Sequence, residues 1–285
     1  MQEIVLDCVR DTVKLVPFLF VTYLLMEYIE HRSSDGMLRV IRRAGRMGPL
    51  LGGVLGIVPQ CGFSAAAAGF FAGRVITAGT LLAVFLSTSD EMLPILLSSQ
   101  VPPRTIVRII MFKAACAVII GFLADFLFRR FNRRTIGGSI RDLCEHDKCR
   151  CEKNSNILLS ALYHTLQITV FIFLVSFLLG FAINSIGEEN LGKIILNRPV
   201  MGEVIAGMAG LIPNCAASVV ITTLYMEGAM STGAMMTGLM VGAGVGLLIL
   251  FRTNHSFREN LQITGLLYGS GVACGLLLDL FGISF

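Results

Sequence analysis

Eight apolar stretches fill most of the chain, at about Leu15 to Ile29, Gly48 to Gly73, Ala78 to Ser98, Ile106 to Phe128, Ile157 to Ile183, Gly202 to Met226, Gly233 to Phe251 and Leu261 to Ile283. A helix crosses a bilayer with roughly 20 apolar residues, and each stretch is read as long enough to span. Lipid offers no hydrogen-bond partners, so a spanning segment must satisfy its own backbone. A strand barrel would alternate polar and apolar residues; these stretches do not, and helices are left. Composition closes off the soluble alternatives. Of 285 residues, 54% are hydrophobic and only 15% charged, with a mean hydropathy of +0.75, whereas a soluble domain is about one quarter charged. Most soluble enzymes, and with them disordered chains, collagen and secreted disulfide scaffolds, are thereby excluded. The first stretch follows Asp7, Arg10, Asp11 and Lys14 with no small-residue cleavage site after it, which predicts a retained helix rather than a signal peptide.

The clear break lies between Arg129 and Asn156, where eight Lys and Arg residues crowd around Gly137 and Gly138. The expected organisation is a membrane repeat over 1–128, a basic, Cys-rich cytoplasmic linker over 129–156, and a second membrane repeat over 157–285. The two halves match without a gap: Cys215 minus Cys61 gives an offset of 154, and at that offset Gly53 falls on Gly207, Gly56 on Gly210, Pro59 on Pro213, Ser64 on Ser218, Gly79 on Gly233, Gly121 on Gly275 and Asp125 on Asp279. The motif cores read GIVPQCGFS and GLIPNCAAS, so the repeat is strongest where helices are least regular.

Charge sets the expected topology. Cytoplasmic loops are enriched in Lys and Arg, which places inside both the linker and the stretch holding Arg32, Arg39, Arg42, Arg43 and Arg46. An even number of crossings must separate them, yet three apolar stretches intervene. Gly48 to Gly73 carries Pro59 at its middle, and an interior Pro removes a helix hydrogen bond and clashes with the preceding turn. It is read as two helical pieces, either a re-entrant hairpin or two crossings, and the parity is right either way. By the same logic the residues around Glu188 and Glu189 lie outside, Arg252 to Arg258 lie inside, and both termini face out. The fold class expected is all-α integral membrane, with two inverted-topology repeats, broken or re-entrant helices, and about 8 to 10 helical segments.

An inverted repeat lets Pro59-Gln60-Cys61 and Pro213-Asn214-Cys215 meet near the bilayer midplane. Broken helices expose carbonyls before the break and N–H groups after it. A Cys opening the second piece sits where the helix dipole favours a thiolate, and Gln60 and Asn214 place amides beside it. Two thiols and two amides suit a soft or borderline cation, or a thiol-seeking metalloid. Gly62, Ser64 and Ser218 complete the candidate substrate-binding set. The alternative is that these residues only pack, since a free Cys behaves as a small hydrophobe.

Ser87-Thr88-Ser89-Asp90-Glu91 lies within another apolar stretch. An acidic residue at mid-helix costs about 2.5 kcal/mol or more on insertion scales, so Asp90 and Glu91 should face the bundle interior and bind a cation or carry protons, with Ser87, Ser89 and Lys113 in support. A structural ion pair with Lys113 is the plainer reading. At the offset of 154, the other half has Gly242 to Val245 here. Asp125 and Asp279 lie near helix ends, where snorkelling or capping is expected, and Glu203 is placed only at membrane depth. In the linker, Cys144, His146, Cys149 and Cys151 are an accessory soft-metal candidate, although their spacing matches no standard zinc module and an incidental basic loop fits equally.

The sequence contains no Walker loop, dinucleotide fingerprint, zincin helix or Gly-x-Ser-x-Gly elbow, so the chain is expected not to be an enzyme and to need no cofactor. An intramembrane redox role for Cys61 and Cys215 would require a quinone or haem site that the His spacing does not suggest. Pro59 to Gly62, its echo Pro213 to Ala216, and Ser87 to Glu91 resemble the bacterial ten-helix heavy-metal exporters. That family is described variously as arsenic efflux proteins and manganese transporters and is related to organoarsenical permeases. The resemblance covers nearly the whole chain. It implies about ten helices, a place in the bacterial inner membrane, export of a metal or metalloid ion, and Cys61, Cys215, Asp90 and Glu91 as its central residues. Expected partners are that ion, the bilayer and protons, with no nucleic acid. Thiols favour arsenic or another soft ion, whereas carboxylates favour manganese or a similar hard divalent ion. A small organic or anionic thiol-reactive substrate, or a membrane metal sensor that moves nothing, are the competing readings.

Overall fold

The repeat governs the architecture. The computed structural model describes residues 47–57, 61–88, 92–131, 200–213, 215–283 and 285, together with scattered positions between 9 and 24 and between 158 and 177, all of which are helical. The first half contributes α1 (Gly48–Leu55), α2 (Cys61–Ala72), α3 (Ala78–Ser87), α4 (Met92–Ser98) and α5 (Pro103–Phe131). The second contributes α6 (Met201–Gly210), α7 (Cys215–Met226), α8 (Thr232–Val241), α9 (Val245–Thr253) and α10 (Phe257–Leu280). At the offset of 154, α2 coincides with α7 and α3 with α8 at both ends, and α5 and α10 start together. No strand occurs among the described residues.

Matched residues do matched work. Thr77 and Ser231 each cap the helix that follows, their hydroxyl oxygens accepting from Thr80 N–H at 3.0 Å and Ala234 N–H at 3.1 Å. Asp125 of α5 accepts the Gly79 N–H at 2.8 Å, and Asp279 of α10 accepts the Gly233 N–H at 2.7 Å. These aspartates therefore cap neighbouring helices, satisfying donors that the helix itself leaves orphaned. A Cβ on Gly79 would run into the Gly121 carbonyl and the Asp125 carboxylate, and one on Gly233 into the Gly275 carbonyl and the Asp279 carboxylate. Glycine is what lets each pair of helices close.

In each half the first helix packs on the third and the third on the fifth, while the halves exchange partners: α2 lies along α9, and α7 along α4. All ten residues of α3 are buried, as are Gly233 to Val241 of α8, and Phe85, Leu81, Leu82, Met235 and Met240 centre the core. Among the described residues, three segments are long and apolar enough to cross a membrane: Pro103–Phe128, Thr232–Thr253 and Phe257–Leu280. The middle one is 72% buried and the outer two 33% and 28%, so α5 and α10 form the rim. Val107, Met111, Ile119, Leu123 and Phe126 project from α5 as an exposed apolar stripe, the face that lipid would cover.

The sequence reads Ala78 to Ser98 and Gly233 to Phe251 as single spans, and the structure divides both. α3 ends at Ser87 and α4 begins at Met92; α8 ends at Val241 and α9 begins at Val245. At the first division the Ser87 hydroxyl donates to the Ala83 carbonyl at 2.7 Å and the Thr88 hydroxyl to the Val84 carbonyl at 2.7 Å, closing off the helix end. At the second, Gly244 takes φ +53°, a conformation that glycine adopts without the Cβ penalty. α5 also runs on to Phe131, three residues into the stretch read as linker.

Candidate functional site

Each half carries two helix ends around its Cys motif. α2 starts at Cys61 and α7 at Cys215, with α1 and α6 ending at Leu55 and Gly210. Ser64, one turn into α2, is fully buried against the opposite half: a Cβ on Gly246 would lie 2.9 Å from the Ser64 Cβ and 2.9 Å from the Phe85 ring. Ser218, its repeat partner in α7, approaches Gly242, where a Cβ would stand 3.5 Å from the hydroxyl oxygen. Thus the first turn of each Cys-led helix packs at the second division: α2 against the start of α9 in the other half, and α7 against the end of α8 in its own. Gly56 is pressed onto Ser87 and Val84, so the end of α1 lies at the first division.

Lys113 supplies charge to this junction. It is 1% exposed, and its Nζ donates to the Thr88 carbonyl at 2.5 Å and the Leu239 carbonyl at 3.1 Å. Those carbonyls belong to the ends of α3 and α8, where the helix dipoles are negative, so an ammonium is favoured. One side chain from the first half thereby joins the two central helices. Its repeat partner is Leu267, also fully buried. The charge at this junction therefore comes from one half alone at this matched pair of positions.

Of the residues singled out from sequence, Gly62, Ser64, Ser87, Lys113 and Ser218 are brought to this junction or its first turns, and Pro213 stands in the bend before α7. Pro59, Gln60, Asn214, Ser89, Asp90 and Glu91 lie outside the described residues, as do Cys144, His146, Cys149 and Cys151. Cys61 and Cys215 are placed as helix starts, with their side chains outside what is described. No cluster of three or more His, Cys, Asp or Glu side chains occurs among the described residues.

Sequence reading passed over a polar network joining the halves. Arg74, in the left-handed region at φ +58°, follows α2 and reaches Glu259 in the first turn of α10 through both guanidinium ends. Asn254 and Asn260 knit into it, Asn254 Nδ2 donating to Asn260 Oδ1 at 2.6 Å and Asn260 Nδ2 to the Asn254 carbonyl at 2.9 Å. The available signal was Arg74 standing where the repeat has Gly228, itself at φ +71°. The thiols of Cys116 in α5 and Cys274 in α10 also meet across the halves; the offset pairs neither with a cysteine, so the repeat gave no sign of them.

Comparison with known families matches residues 1–184 to the family described as "Putative, 10TM heavy-metal exporter". The match takes in the Pro59 to Gly62 motif, the Ser87 to Glu91 run and all of α1 to α5. No curated protein and no solved structure matches the chain.

Proposed function

The chain belongs to the ten-span heavy-metal exporter family, and from that premise we propose that it carries a heavy-metal or metalloid ion, arsenic-like or manganese-like, out across the bacterial cytoplasmic membrane by alternating access. The observation that carries this reading is the pairing of α2 and α7. They start at Cys61 and Cys215, span equal lengths, and pack at a second pair of helix ends. Broken helices at corresponding positions of two repeats are where transporters of this plan hold substrate.

In this reading Cys61 and Cys215 ligate the ion and Gln60 and Asn214 complete the shell. Pro59 and Pro213 keep the preceding carbonyls out of the helix ladder, and Gly62, Ser64 and Ser218 allow close approach. Asp90 and Glu91, with Ser87 and Ser89, bind the coupling cation or proton, and Lys113 counters their charge. The Cys144, His146, Cys149 and Cys151 loop is an accessory soft-metal site. The repeats enter the membrane in opposite directions, with the linker inside. The Arg74–Glu259 contact supports that topology, because a hairpin or two crossings after Arg46 return the chain inside at Arg74, and Glu259 follows Arg252 to Arg258.

A second reading is favoured by Lys113. Its buried ammonium, held at the ends of α3 and α8, brings positive charge to the junction, so a metalloid taken as an oxyanion, or another thiol-reactive anion, would bind there. Everted membrane vesicles separate the two. Accumulation of manganese or cadmium that Cys61→Ser abolishes supports cation transport, and accumulation of arsenate or another oxyanion that Lys113→Met abolishes supports the anion. Vesicles that accumulate none of these ions contradict both.

A further inference from the structure

The ends of α2 and α7 are built alike. Arg74 N–H donates to the Phe71 carbonyl and Val75 N–H to the Phe70 carbonyl; in the second half Gly228 N–H donates to the Tyr225 carbonyl and Ala229 N–H to the Leu224 carbonyl, all at 2.8 to 3.0 Å. Such a helix end needs one residue in the left-handed region, which glycine fills without a Cβ penalty. Gly228 does so at φ +71°, but the first half places Arg74 there at φ +58°. From that position its two terminal nitrogens each donate to a Glu259 oxygen at 2.9 Å. Asn254 lies against the same group, its Oδ1 accepting from Arg74 Nη2 at 3.4 Å and its Nδ2 donating to Glu259 Oε2 at 3.3 Å. The side chains of Arg74 and Glu259 are 26% and 8% exposed, so the pair is largely withdrawn from water.

The two Cys-led helices differ in the same sense along their length. Ala65, Gly69 and Ala72 share one face of α2 and are buried, whereas the residues matched to them on α7, Val219, Thr223 and Met226, are exposed. Small residues let α2 lie close along α9, where a Cβ on Gly246 would stand 2.9 Å from the Ser64 Cβ. The position matched to Gly246 is Met92, and among the described residues α7 meets α4 more sparsely. The open face of α7 is unlike the rim of α5. Val219 and Met226 are each 38% exposed, against 56% to 66% for Val107, Met111, Ile119, Leu123 and Phe126. The α7 face also holds the Thr223 hydroxyl and runs out at the exposed Glu227. That is the mark of a crevice with a polar mouth, not of a ridge covered by lipid.

We infer that Arg74 and Glu259 form a gate on the face that the charge distribution places inside, closed in this structure, while the seam between α4 and α7 stands open to water on the opposite face along Val219, Thr223 and Met226. The inference rests on the transport reading and assigns its state: the ion has its way out, and its way in is shut. Alternating access moves one repeat against the other, so the Arg74–Glu259 pair must part, and the seam between α2 and α9 with it, before an ion can enter from the cytoplasm. The first half gives up a glycine for this one contact, and the second half, at the open end, keeps it.

Cysteine accessibility tests the gate with no ion supplied. Ala72→Cys and its matched counterpart Met226→Cys, with Val219→Cys as a second reporter, are placed one at a time in the full chain. Alkylation by a membrane-impermeant maleimide is read peptide by peptide in right-side-out and everted vesicles. Met226→Cys and Val219→Cys should react from the outer side, and Ala72→Cys from neither. Adding Glu259→Gln should raise the reaction of Ala72→Cys in everted vesicles by about tenfold or more, the consequence of losing a charged pair. Native Cys61, read in the same samples without any change at the seam, should respond likewise. Met226→Cys and Val219→Cys that react only with a lipid-soluble maleimide, or from the everted side, would overturn the inference. So would equal reaction of Ala72→Cys and Met226→Cys in the parent protein, or no response of Ala72→Cys and Cys61 to Glu259→Gln. Normal ion uptake by everted vesicles with any of these results rejects the gate alone; the expected labelling in a protein that moves no ion rejects the transport reading and leaves the asymmetry of the two faces.

Discussion

Arg74 holds both carboxylate oxygens of Glu259 at 2.9 Å, tying the end of α2 in one half to the start of α10 in the other. The repeat makes the contact informative. The offset of 154 puts Gly228 in place of Arg74 and Thr105 in place of Glu259, so the residues matched to this pair cannot repeat the tie. Arg74 adopts a backbone conformation that costs a non-glycine residue roughly 1–2 kcal/mol, and it is held there by a bidentate charge-assisted pair, the stronger geometry for such contacts. The guanidinium also lies 5.4 Å from the centre of the Phe71 ring.

Arg74→Gln should therefore lower stability by about 2 kcal/mol, in the range of hydrogen bonds to charged groups. The charge-reversed pair Arg74→Glu with Glu259→Arg should recover part of that loss. Melting of the detergent-purified variants reads the difference. Under the topology proposed, the same substitution loosens the cytoplasmic face. In everted vesicles it should speed the reaction of Cys61 with a membrane-impermeant maleimide; an unchanged rate would confine Arg74 to a stabilising role.

The glycines at the caps give a paired prediction. Gly79→Ala and Gly233→Ala each force a methyl group onto a backbone carbonyl and an aspartate, and overpacking of this kind costs about 1–3 kcal/mol. Both should melt earlier by similar amounts. Gly265→Ala, with nothing within 4 Å of its Cβ, should melt at or slightly above the wild-type temperature, since alanine is the better helix former by up to about 1 kcal/mol.

Lys113→Met keeps the length of the side chain and removes the ammonium from the Thr88 and Leu239 carbonyls. Leaving buried acceptors unmet costs about 1–3 kcal/mol, and the two central helices lose their link. Reduced stability and loss of transport are expected together. Leu267→Met, at the matching position of the other half, should change stability by less than about 1.5 kcal/mol and leave transport intact. If Lys113→Met transports normally, the buried charge has no part in the cycle.

Much of the fold was legible because lipid makes strong demands on sequence. Helical stretches announced themselves by length and apolarity, and the repeat by gapless matches such as Gly79 to Gly233 and Asp125 to Asp279, which the structure explains as one cap built twice. The division of Ala78 to Ser98 was not legible, because Ser87 and Thr88 satisfy helix carbonyls through their own hydroxyls and leave the apolar pattern intact. The Arg74 network was missed for a different reason: Arg74 lies 180 or more residues from Asn254 and Glu259 and meets them only when the halves pack.

The central claim is that this chain exports an ion through a path lined by Cys61 and Cys215. Its most direct test is the elemental content of cells by mass spectrometry, comparing empty vector, wild type and the Cys61→Ser, Cys215→Ser double variant at matched membrane levels across manganese, zinc, cadmium and arsenite. The account predicts that wild type lowers one element and that the double variant leaves it at the empty-vector level. A double variant as effective as wild type would make the cysteines packing residues, and no change in any element would contradict export of these ions.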